Sequence, residues 1–399
     1  MNQYPMIILK PGKEAALKRF HPWLFSGAIS RIEGVPAEGD IVEIFSDHKE
    51  YLATGHYQSG SITVKIFSFK RVDVTAEFWE SKLLKAFELR RYLGLVDNAI
   101  TNAYRLVFSE GDGLPGLFID YYNGSVVIQS HTLGMHRIKP VLVDVLKNIY
   151  GERLVSVFDK SEETMPRTDS REPKTIFQNQ YLHGLHHRGQ IKEITHDFLV
   201  DWELGQKTGF FLDQRSNRMF AQFYSKDKKV LNAFCYSGAF SVYALKGGAS
   251  MVHSVDSSKQ AIHWTEENIE LNGIDKAKHQ SFVAEVKRYL TDTGEKYDMI
   301  ILDPPAFAKH QHVSHNALQA YIHINAQAMK LLNPGGILFT FSCSQPISRE
   351  MFQSAMVSAG MEAGRSVKIL HHLAQGPDHP VNIYHPEGEY LKGFILYVD

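Results

Sequence analysis

Asp303 and Cys343 have side chains that covalent chemistry on a planar base requires. Asp303 follows an apolar run in ILDPPAF, and Cys343 follows the next apolar run in GILFTFSCSQ. Pro304 and Pro305 cannot donate strand hydrogen bonds, so they predict a rigid turn that holds Asp303 at the end of its strand. Consecutive parallel strands joined by a helix usually lie side by side, so we expect Asp303 and Cys343 to face one cleft.

This pair of residues suits methylation of a cytosine at carbon 5. That carbon is a poor nucleophile, and a thiolate that adds to carbon 6 activates it through an enamine. Because the thiolate is required, we expect the setting of Cys343 to lower the pKa of its thiol below about 8.5. Asp303, with Pro304 and Pro305, would hold the ring nitrogen and the exocyclic amine. The alternatives are a buried structural cysteine and a proline-marked strand end; Cys235 is expected to be inert.

A nucleoside site is predicted beside this pair. Gly238 lies in the turn of VLNAFCYSGAFS, where its missing side chain would let a ligand approach the backbone. Asp256 ends the next strand, and an acidic residue about 20 positions beyond such a turn binds ribose hydroxyls. Glu285 ends the third strand, where it could accept a hydrogen bond from adenine. The residues predicted to complete the site are Asn232, Phe234, Tyr236, Ser237 and Ser257.

The turn lacks the G-x-G-x-x-G pattern that a pyrophosphate requires, so hydride chemistry on a dinucleotide is disfavoured. S-adenosylmethionine has a ribose and an adenine but no phosphate, and it fits a turn with one glycine. The alternative is that Asp256 and Glu285 are helix N-caps or first-turn acids.

Strand-like and helical stretches alternate from about residue 228, which predicts a parallel sheet with helices on both faces and a site at the carboxyl ends of the strands. The apolar runs are KVLNAF, MVHSVD, QSFVAE, YDMIILD and GILFTFS, and the helical stretches include 258–272 and 314–332. Residues 1–72 look like a small β-rich barrel, and 73–190 like an α+β domain with an irregular connection over 160–190. The third domain is expected over 191–399.

Composition limits the classes of protein. The 399 residues suffice for two or three domains, and 44% apolar content is that of a globular chain. The sequence has no run of about 18 apolar residues, so no membrane span is predicted. Its start does not look like a signal peptide, and we therefore expect a cytoplasmic protein. The formal net charge is −1. Any RNA contact must therefore use local basic patches.

Long strings of the sequence resemble the bacterial 23S ribosomal RNA 5-methylcytosine methyltransferases with an N-terminal PUA domain. The strings are LKPGKEAALKRFHPWLFSGAI, EGDGLPGLFIDYYNG, GQKTGFFLDQRSNR, VLNAFCYSGAFSVYAL, LDPPAF, FSCS and EGEYLKGF, and the resemblance covers nearly the whole chain. It implies a PUA domain, a central α+β domain and a seven-stranded Rossmann-like class I methyltransferase domain whose last strand is antiparallel.

The same resemblance implies S-adenosylmethionine as the cofactor, 23S ribosomal RNA as the partner and Cys343 as the nucleophile. Other RNA cytosine methyltransferases carry a second cysteine where Ala306 stands here, so the base that removes the carbon-5 proton is not identified. Dimers occur among members of this family.

Two further groups of residues are candidates for binding. Lys207, Asp213 and Arg215 are expected to close over the methionine end of the cofactor, with a structural ion-pair network as the alternative. Basic and aromatic residues near the start of the chain suit RNA backbone attraction and base stacking, although Trp23 also reads as a core residue. This group is Lys18, Arg19, His21 and Trp23.

Metal binding is not expected. The histidine clusters, His183 with His186 and His187, and His310 with His312 and His315, lack acidic or cysteine partners at ligand spacing. His310 and His312 are candidates for RNA contact instead.

Two rival functions remain open. A guanine-N2 methyltransferase would use Asp-Pro-Pro in the same place and would need no cysteine. A non-catalytic RNA-binding assembly factor on a decayed scaffold would not retain Gly238, Asp256, Asp303 and Cys343.

Overall fold

The computed structural model describes residues 4–165, 177–308 and 314–399. These residues form two compact units that each combine separate stretches of the chain. The first unit comprises Met1–Ile191, Val200–Leu212 and Pro377–Gly388, and the second comprises Lys192–Leu199, Asp213–Gly376 and Glu389–Asp399. Pro166 and Pro173, which lie in the predicted irregular connection, and the RNA-contact candidates His310 and His312 lie outside the described residues.

The start of the chain is a six-stranded sheet with one short helix. Its elements are β1 (Met6–Leu9), α1 (Ala15–Lys18), β2 (Trp23–Phe25), β3 (Ile29–Glu33), β4 (Ile41–Phe45), β5 (Tyr51–Tyr57) and β6 (Ile62–Ser68). The strand order is β2-β6-β5-β4-β1-β3. A core that includes Ile7, Val42 and Val64 lies within this region. The prediction of a β-rich start is confirmed.

A mixed α/β region with its own core follows in the first unit. Its elements are α2 (Ala76–Tyr92), β7 (Ala103–Phe108), β8 (Leu117–Tyr122), β9 (Ser125–Ser130), α3 (Leu133–Arg137), α4 (Lys139–Tyr150), β10 (Ser156–Asp159) and β11 (Gln180–His183). The strand order is β11-β10-β9-β8-β7. Asn123 and Gly124 join β8 to β9 with φ values of 45° and 96°, the conformation that an Asn-Gly hairpin turn requires.

One strand lies inside the stretch 160–190, where only an irregular connection was predicted, and another begins at the end of that stretch. β11 pairs with β10 in antiparallel register, and β12 (Gly189–Glu193) pairs with β13 (His196–Val200) in a two-stranded sheet. The four residues of β11, QYLH, are too few to show an alternation of apolar and polar residues, so the strand left no local signal.

The second unit contains a seven-stranded sheet in the order β16-β15-β14-β17-β18-β20-β19. The strands are β14 (Lys229–Ala233), β15 (Met251–Asp256), β16 (His279–Val283), β17 (Tyr297–Leu302), β18 (Leu332–Ser342), β19 (Val367–Leu373) and β20 (Lys392–Val398). β14 to β18 run parallel, and β20 is antiparallel to both of its neighbours. The helices are α5 (Arg215–Tyr224), α6 (Ala239–Lys246), α7 (Lys259–Leu271), α8 (Val286–Asp292), α9 (Ser314–Leu331) and α10 (Arg349–Ala363).

Helices can cover both faces of this sheet because its central strands are apolar on both sides. Along β17, Ile300 and Leu302 belong to one hydrophobic core, and Met299 and Ile301 belong to the other. This explains why these strands read as continuous apolar runs. Within the described ranges, no helix is long and apolar enough to cross a membrane.

Candidate active site

Asp303 and Cys343 meet at the carboxyl ends of β17 and β18, as the sequence predicted. Leu302 pairs with Thr340 in parallel register, and the two residues follow directly after their strands. The Cys343 thiol is half-buried, and its Sγ lies 3.8 Å from the main-chain oxygen of Pro304. A nucleophilic thiol therefore lies against the Asp-Pro-Pro turn. Pro304 is buried, whereas Pro305 is exposed.

Asp303 is oriented by Gln214, which the sequence reasoning passed over. Nε2 of Gln214 donates to Oδ2 of Asp303 at 2.9 Å, and Asn217 Nδ2 donates to Oε1 of Gln214 at 2.6 Å. Burial raises the pKa of the Asp303 carboxyl to about 7, and the nearby charge of Asp213 acts in the same direction. Asp303 can therefore exist as a neutral acid near pH 7, able to donate as well as to accept a hydrogen bond.

The predicted lowering of the Cys343 pKa is wrong for the protein without substrate. Burial is the largest cause that raises the pKa of this thiol, and the charges of Asp303 and Asp213 act in the same direction, while Lys392 acts in the opposite direction; together they bring the pKa to about 12. A thiolate is disfavoured in an acidic, partly dry cleft. The prediction relied on the strand end and did not anticipate that a second carboxylate, Asp213, comes close.

Ser344 fixes the chain beyond Cys343. Its Oγ accepts from the main-chain nitrogen of Ala308 at 3.2 Å and lies 3.0 Å from the hydroxyl oxygen of Tyr321. These bonds join the turn after β17 to the turn after β18. The relative position of Asp303 and Cys343 is thereby held from both sides.

Gly238 is required for a different reason from the one expected. Its φ is 75°, and a Cβ atom there would lie 2.5 Å from Cγ2 of Thr265. The space is filled by a helix side chain, so close packing of α7 demands the glycine. In the same turn, Phe234 and Tyr236 have φ values of 60° and 47°, which are costly for bulky residues and concentrate at functional sites.

Asp256 holds this turn through both carboxylate oxygens. Oδ2 accepts from Tyr236 N at 3.0 Å and Oδ1 from Ser258 N at 2.9 Å. The side chain that caps α7 is Ser258, so Asp256 is not the N-cap that the alternative proposed. Ser257, beside it, is exposed.

Three other predicted contacts have structural roles here. Asn232 is 1% exposed and donates from Nδ2 to Ser241 Oγ at 2.8 Å, which points to a structural role for its side chain. The main-chain oxygen of Ser237 accepts from Asn268 Nδ2 at 2.9 Å. Exposed Glu285 lies beyond β16 and caps α8, because its Oε2 accepts from Arg288 N at 2.7 Å. Glu285 is therefore the N-cap of α8, as the alternative held. Its other carboxylate oxygen, Oε1, takes no part in the bond to Arg288 N.

The three residues of the QKTGFFLDQR segment that were predicted to close over the cofactor differ in their surroundings. They are Lys207, Asp213 and Arg215. Arg215 is buried with its Nε 3.4 Å from Glu193, which favours the structural ion-pair alternative over cofactor contact. Asp213 is buried and accepts from the Tyr390 hydroxyl through Oδ2, while Oδ1 has no hydrogen-bond partner in the part of the chain that the structure describes. Lys207 is exposed and belongs to the first unit.

The aromatic candidate in the first unit is largely internal. The Trp23 indole nitrogen donates to Glu110 Oε1 at 2.8 Å, and its ring lies 4.3 Å from that of His385. His21 Nδ1 accepts from Trp23 N at 3.2 Å, so both residues support local structure. Lys18 and Arg19 are exposed. Phe20 and Phe25, which the sequence reasoning passed over, are 48% and 46% exposed and offer the accessible aromatic faces.

The histidines of the first cluster have other partners. His186 Nδ1 lies 2.8 Å from Ser125 Oγ, and His187 Nδ1 lies 2.7 Å from Glu203 Oε1. Among the residues with described positions, no three or more histidine, cysteine or acidic side chains are grouped as metal ligands.

Comparison with known proteins places this geometry in a family. Residues 181–383 match the family model of S-adenosylmethionine-dependent methyltransferases, and residues 7–69 match that of PUA-like domains. The chain is 38% identical to the ribosomal RNA large subunit methyltransferase I of Aeromonas hydrophila, covering 98% of each protein. It is 36% identical to the protein of the same name from Klebsiella pneumoniae, covering 99% of this chain and 98% of that protein.

Two solved structures share the fold. One is a proposed methyltransferase in complex with SAH, with a TM-score of 0.84 and 24% identity. The other is a proposed SAM-dependent methyltransferase from Streptococcus mutans, with a TM-score of 0.83 and 23% identity. Each alignment covers 98% of this chain and 99% of the other.

Proposed function

This chain belongs to the family of the ribosomal RNA large subunit methyltransferases I, and from that premise we propose that it methylates carbon 5 of a cytosine in 23S ribosomal RNA. Cys343 is the proposed covalent nucleophile, and Asp303 is proposed to hold the base. One observation carries the proposal: the Cys343 thiol lies 3.8 Å from the Asp-Pro-Pro turn, a residue type and position that an amino-group methyltransferase does not need.

The chain is a methyltransferase that uses S-adenosylmethionine, and the residues at the strand ends fit that molecule. The buried Oδ1 of Asp213, without a partner among described residues, suits the positively charged amino group of the methionine end. Asp256 is proposed to accept from the ribose hydroxyls, and the second oxygen of Glu285 suits an adenine amine. When bound, S-adenosylmethionine supplies an electrophilic methyl group.

Asp303 is suited to a cytosine because it can be neutral near pH 7. Ring nitrogen 3 of cytosine is an acceptor, and a protonated carboxyl can donate to it. Gln214 donates to Oδ2 of Asp303, which favours Oδ1 as the oxygen that carries the proton toward the base. Withdrawal of electrons from the ring through this bond makes carbon 6 more electrophilic, so the same contact that holds the base also assists attack.

Cys343 then adds as a thiolate to carbon 6, carbon 5 takes the methyl group that S-adenosylmethionine would supply, and a base takes the carbon-5 proton so that the carbon–sulfur bond can break. Since sulfur must approach the face of the ring, we propose that the cytosine leaves its stack to enter the cleft. Exposed Lys18 and Arg19, with Phe20 and Phe25, are proposed to contact RNA from the first unit. The protein is proposed to act in the cytoplasm, and a homodimer is compatible with the family.

The experiment that tests the reaction is methyl transfer from labelled S-adenosylmethionine to unmodified 23S ribosomal RNA, followed by digestion to nucleosides. We expect label in 5-methylcytidine with the parent protein and with Cys235→Ala as the matched control, and none with Cys343→Ala. Label in N2-methylguanosine, with Cys343→Ala as active as the parent, would replace this proposal with the guanine reaction. No transfer to any nucleoside would favour a non-catalytic assembly role.

A further inference from the structure

Lys392 is a buried lysine at the back of the thiol site. It begins β20 and pairs with Ser342 of β18 in antiparallel register, one residue before Cys343. The residue is only 3% exposed, and its Nζ donates to the main-chain oxygen of Ser344 at 2.9 Å. The ammonium group is therefore anchored to the peptide that follows the nucleophile.

Burial of an ammonium is costly, so the structure has to offer it an anionic partner. Two groups would hold the pKa of Lys392 up by their negative charge: Cys343 when it is a thiolate, and then Glu389. Glu389 is already paired with Arg349, whose Nη2 lies 2.7 Å from Oε1. That pairing leaves the thiol as the group that gains most from the charge of Lys392.

The charges around Cys343 otherwise oppose a thiolate. Asp303, Asp213 and the phenol of Tyr321 interact with the sulfur, and the two carboxylates disfavour its negative form. Lys392 is a cation that acts in the favourable direction. Burial lowers the pKa of Lys392 to about 8, so it is still mostly charged at pH 7.

We propose that Lys392 is the positioning residue that stabilises Cys343 as a thiolate at the moment of attack. The inference rests on the proposed function, in which Cys343 is the nucleophile. The thiol proton passes to water at the half-buried sulfur, and Lys392 keeps its own proton. When a cytosine binds and accepts a hydrogen bond from the protonated Asp303 carboxyl, Asp303 stays neutral. One of the two negative charges that oppose the thiolate is then absent.

The test measures the reactivity of Cys343 without any methyl transfer. The full chain carries Cys235→Ser, so that Cys343 is the single thiol, and its rate of alkylation by iodoacetamide is followed from pH 7 to pH 10. Lys392→Gln retains a donor but loses the charge, Lys392→Met loses both, and Lys392→Arg keeps the charge. Lys368→Met, an exposed lysine on the neighbouring strand β19, is the matched control.

We expect Lys392→Gln and Lys392→Met to slow alkylation at pH 8 by about tenfold or more, which corresponds to a thiol pKa raised by about one unit. Lys392→Arg and Lys368→Met should stay within about threefold of the parent. Thermal unfolding shows whether each variant is folded. The alkylation rate of folded Lys392→Gln then decides between the two outcomes. An alkylation profile of folded Lys392→Gln identical to that of the parent would overturn the proposal.

Failure of this inference is distinguishable from failure of the proposed function. If Cys343→Ala still produced labelled 5-methylcytidine, the nucleophile assignment would be lost whatever the alkylation rates. If Cys343→Ala were inactive and Lys392→Gln unchanged in alkylation, the nucleophile would stand and the role of Lys392 would fall.

Discussion

Asp303 should make the folded protein less stable as the pH rises. Its pKa is raised to about 7 by burial, above the value of about 3.9 expected when the chain is unfolded. An acid with a raised pKa contributes stability that is present below pH 4 and lost as the pH rises through 7. Between pH 4 and pH 7 the parent should therefore lose on the order of 3 kcal/mol of unfolding free energy relative to Asp303→Asn.

Urea unfolding of the parent and of Asp303→Asn across this pH range measures the difference. Asp292→Asn, a change at an exposed aspartate of α8, is the matched control and should follow the parent. A difference between parent and Asp303→Asn that does not grow with pH would show that the carboxyl ionises as an exposed aspartate does.

Gln214 should contribute to turnover more than to substrate binding. Gln214→Leu removes the donor to Asp303 Oδ2, so that the neutral acid is free to place its proton on either oxygen. We expect kcat to fall by about 10- to 100-fold with KM changed much less, which is below the roughly 100- to 10,000-fold contribution of an acid–base group because Gln214 acts only through Asp303. Gln353→Leu on the exposed face of α10 controls for the substitution itself. Equal loss in both variants would contradict the assignment.

For single residues, the sequence predicted which side chains would react but not the pKa values that their surroundings give them. Asp303 and Cys343 could be placed because strand ends and proline positions are local features. The pKa of Cys343 could not, because it depends on Asp213, which is 130 residues away in the sequence and reaches the cleft only through the fold. Gln214 was missed for the same reason: nothing in QKTGFFLDQR indicates which of its polar side chains faces Asp303.

The turn between β14 and α6 should tolerate no side chain at Gly238. Gly238→Ala places a methyl group 2.5 Å from Cγ2 of Thr265, in addition to the cost of a positive φ. Gly273 has a similar φ of 61° but no atom within 4 Å of the added Cβ, so Gly273→Ala isolates the backbone cost. We expect Gly273→Ala to lose about 1 kcal/mol and Gly238→Ala about 2 to 3 kcal/mol more, from overpacking.

Chemical unfolding of both alanine variants measures these losses, and Thr265→Ala in the Gly238→Ala background should recover part of the larger one. Equal losses at Gly238 and Gly273 would mean that packing against α7 does not require the glycine.

Most elements of the second unit could be predicted, because buried parallel strands and amphipathic helices have strong local patterns. The predicted helix 258–272 corresponds to α7 (Lys259–Leu271), and 314–332 to α9 (Ser314–Leu331). The third strand ends at Val283 rather than at Glu285, because the carboxylate is used to cap α8. A short edge strand such as β11 has no comparable signal, since its pairing is decided by its neighbour.

For the whole molecule, a net charge of −1 means that attraction to RNA must come from local groups. Exposed Lys18 and Arg19 are the proposed phosphate contacts. The double change Lys18→Ala with Arg19→Ala should reduce the slope of log K against log salt by about 1 to 2, and Lys276→Ala in the second unit should leave it unchanged. Titration of a labelled 23S fragment at several salt concentrations measures the slope. An unaltered slope in the double variant would remove these two residues from the RNA contact.

The arrangement of the chain into units was the least predictable feature. Three consecutive domains were expected, and their boundaries stay a prediction, while the structure shows two units with interleaved segments. Within the first unit, Arg90 Nη2 donates to the main-chain oxygen of Asp378 at 2.8 Å, and a Cβ at Gly111 would lie 2.0 Å from the oxygen of Pro380. Contacts between residues almost 300 positions apart leave no periodic signal in the sequence.

The covalent role of Cys343 is tested most directly by trapping it on RNA that contains 5-fluorocytidine. Fluorine at carbon 5 cannot leave as a proton does, so the carbon–sulfur bond formed during methyl transfer persists. We predict a protein–RNA adduct that survives denaturation, requires S-adenosylmethionine and maps by mass spectrometry to Cys343, and that is absent in Cys343→Ala but present in Cys235→Ala. An undiminished adduct in Cys343→Ala, or methylation of unmodified RNA with no adduct on the fluorinated RNA, would contradict the account.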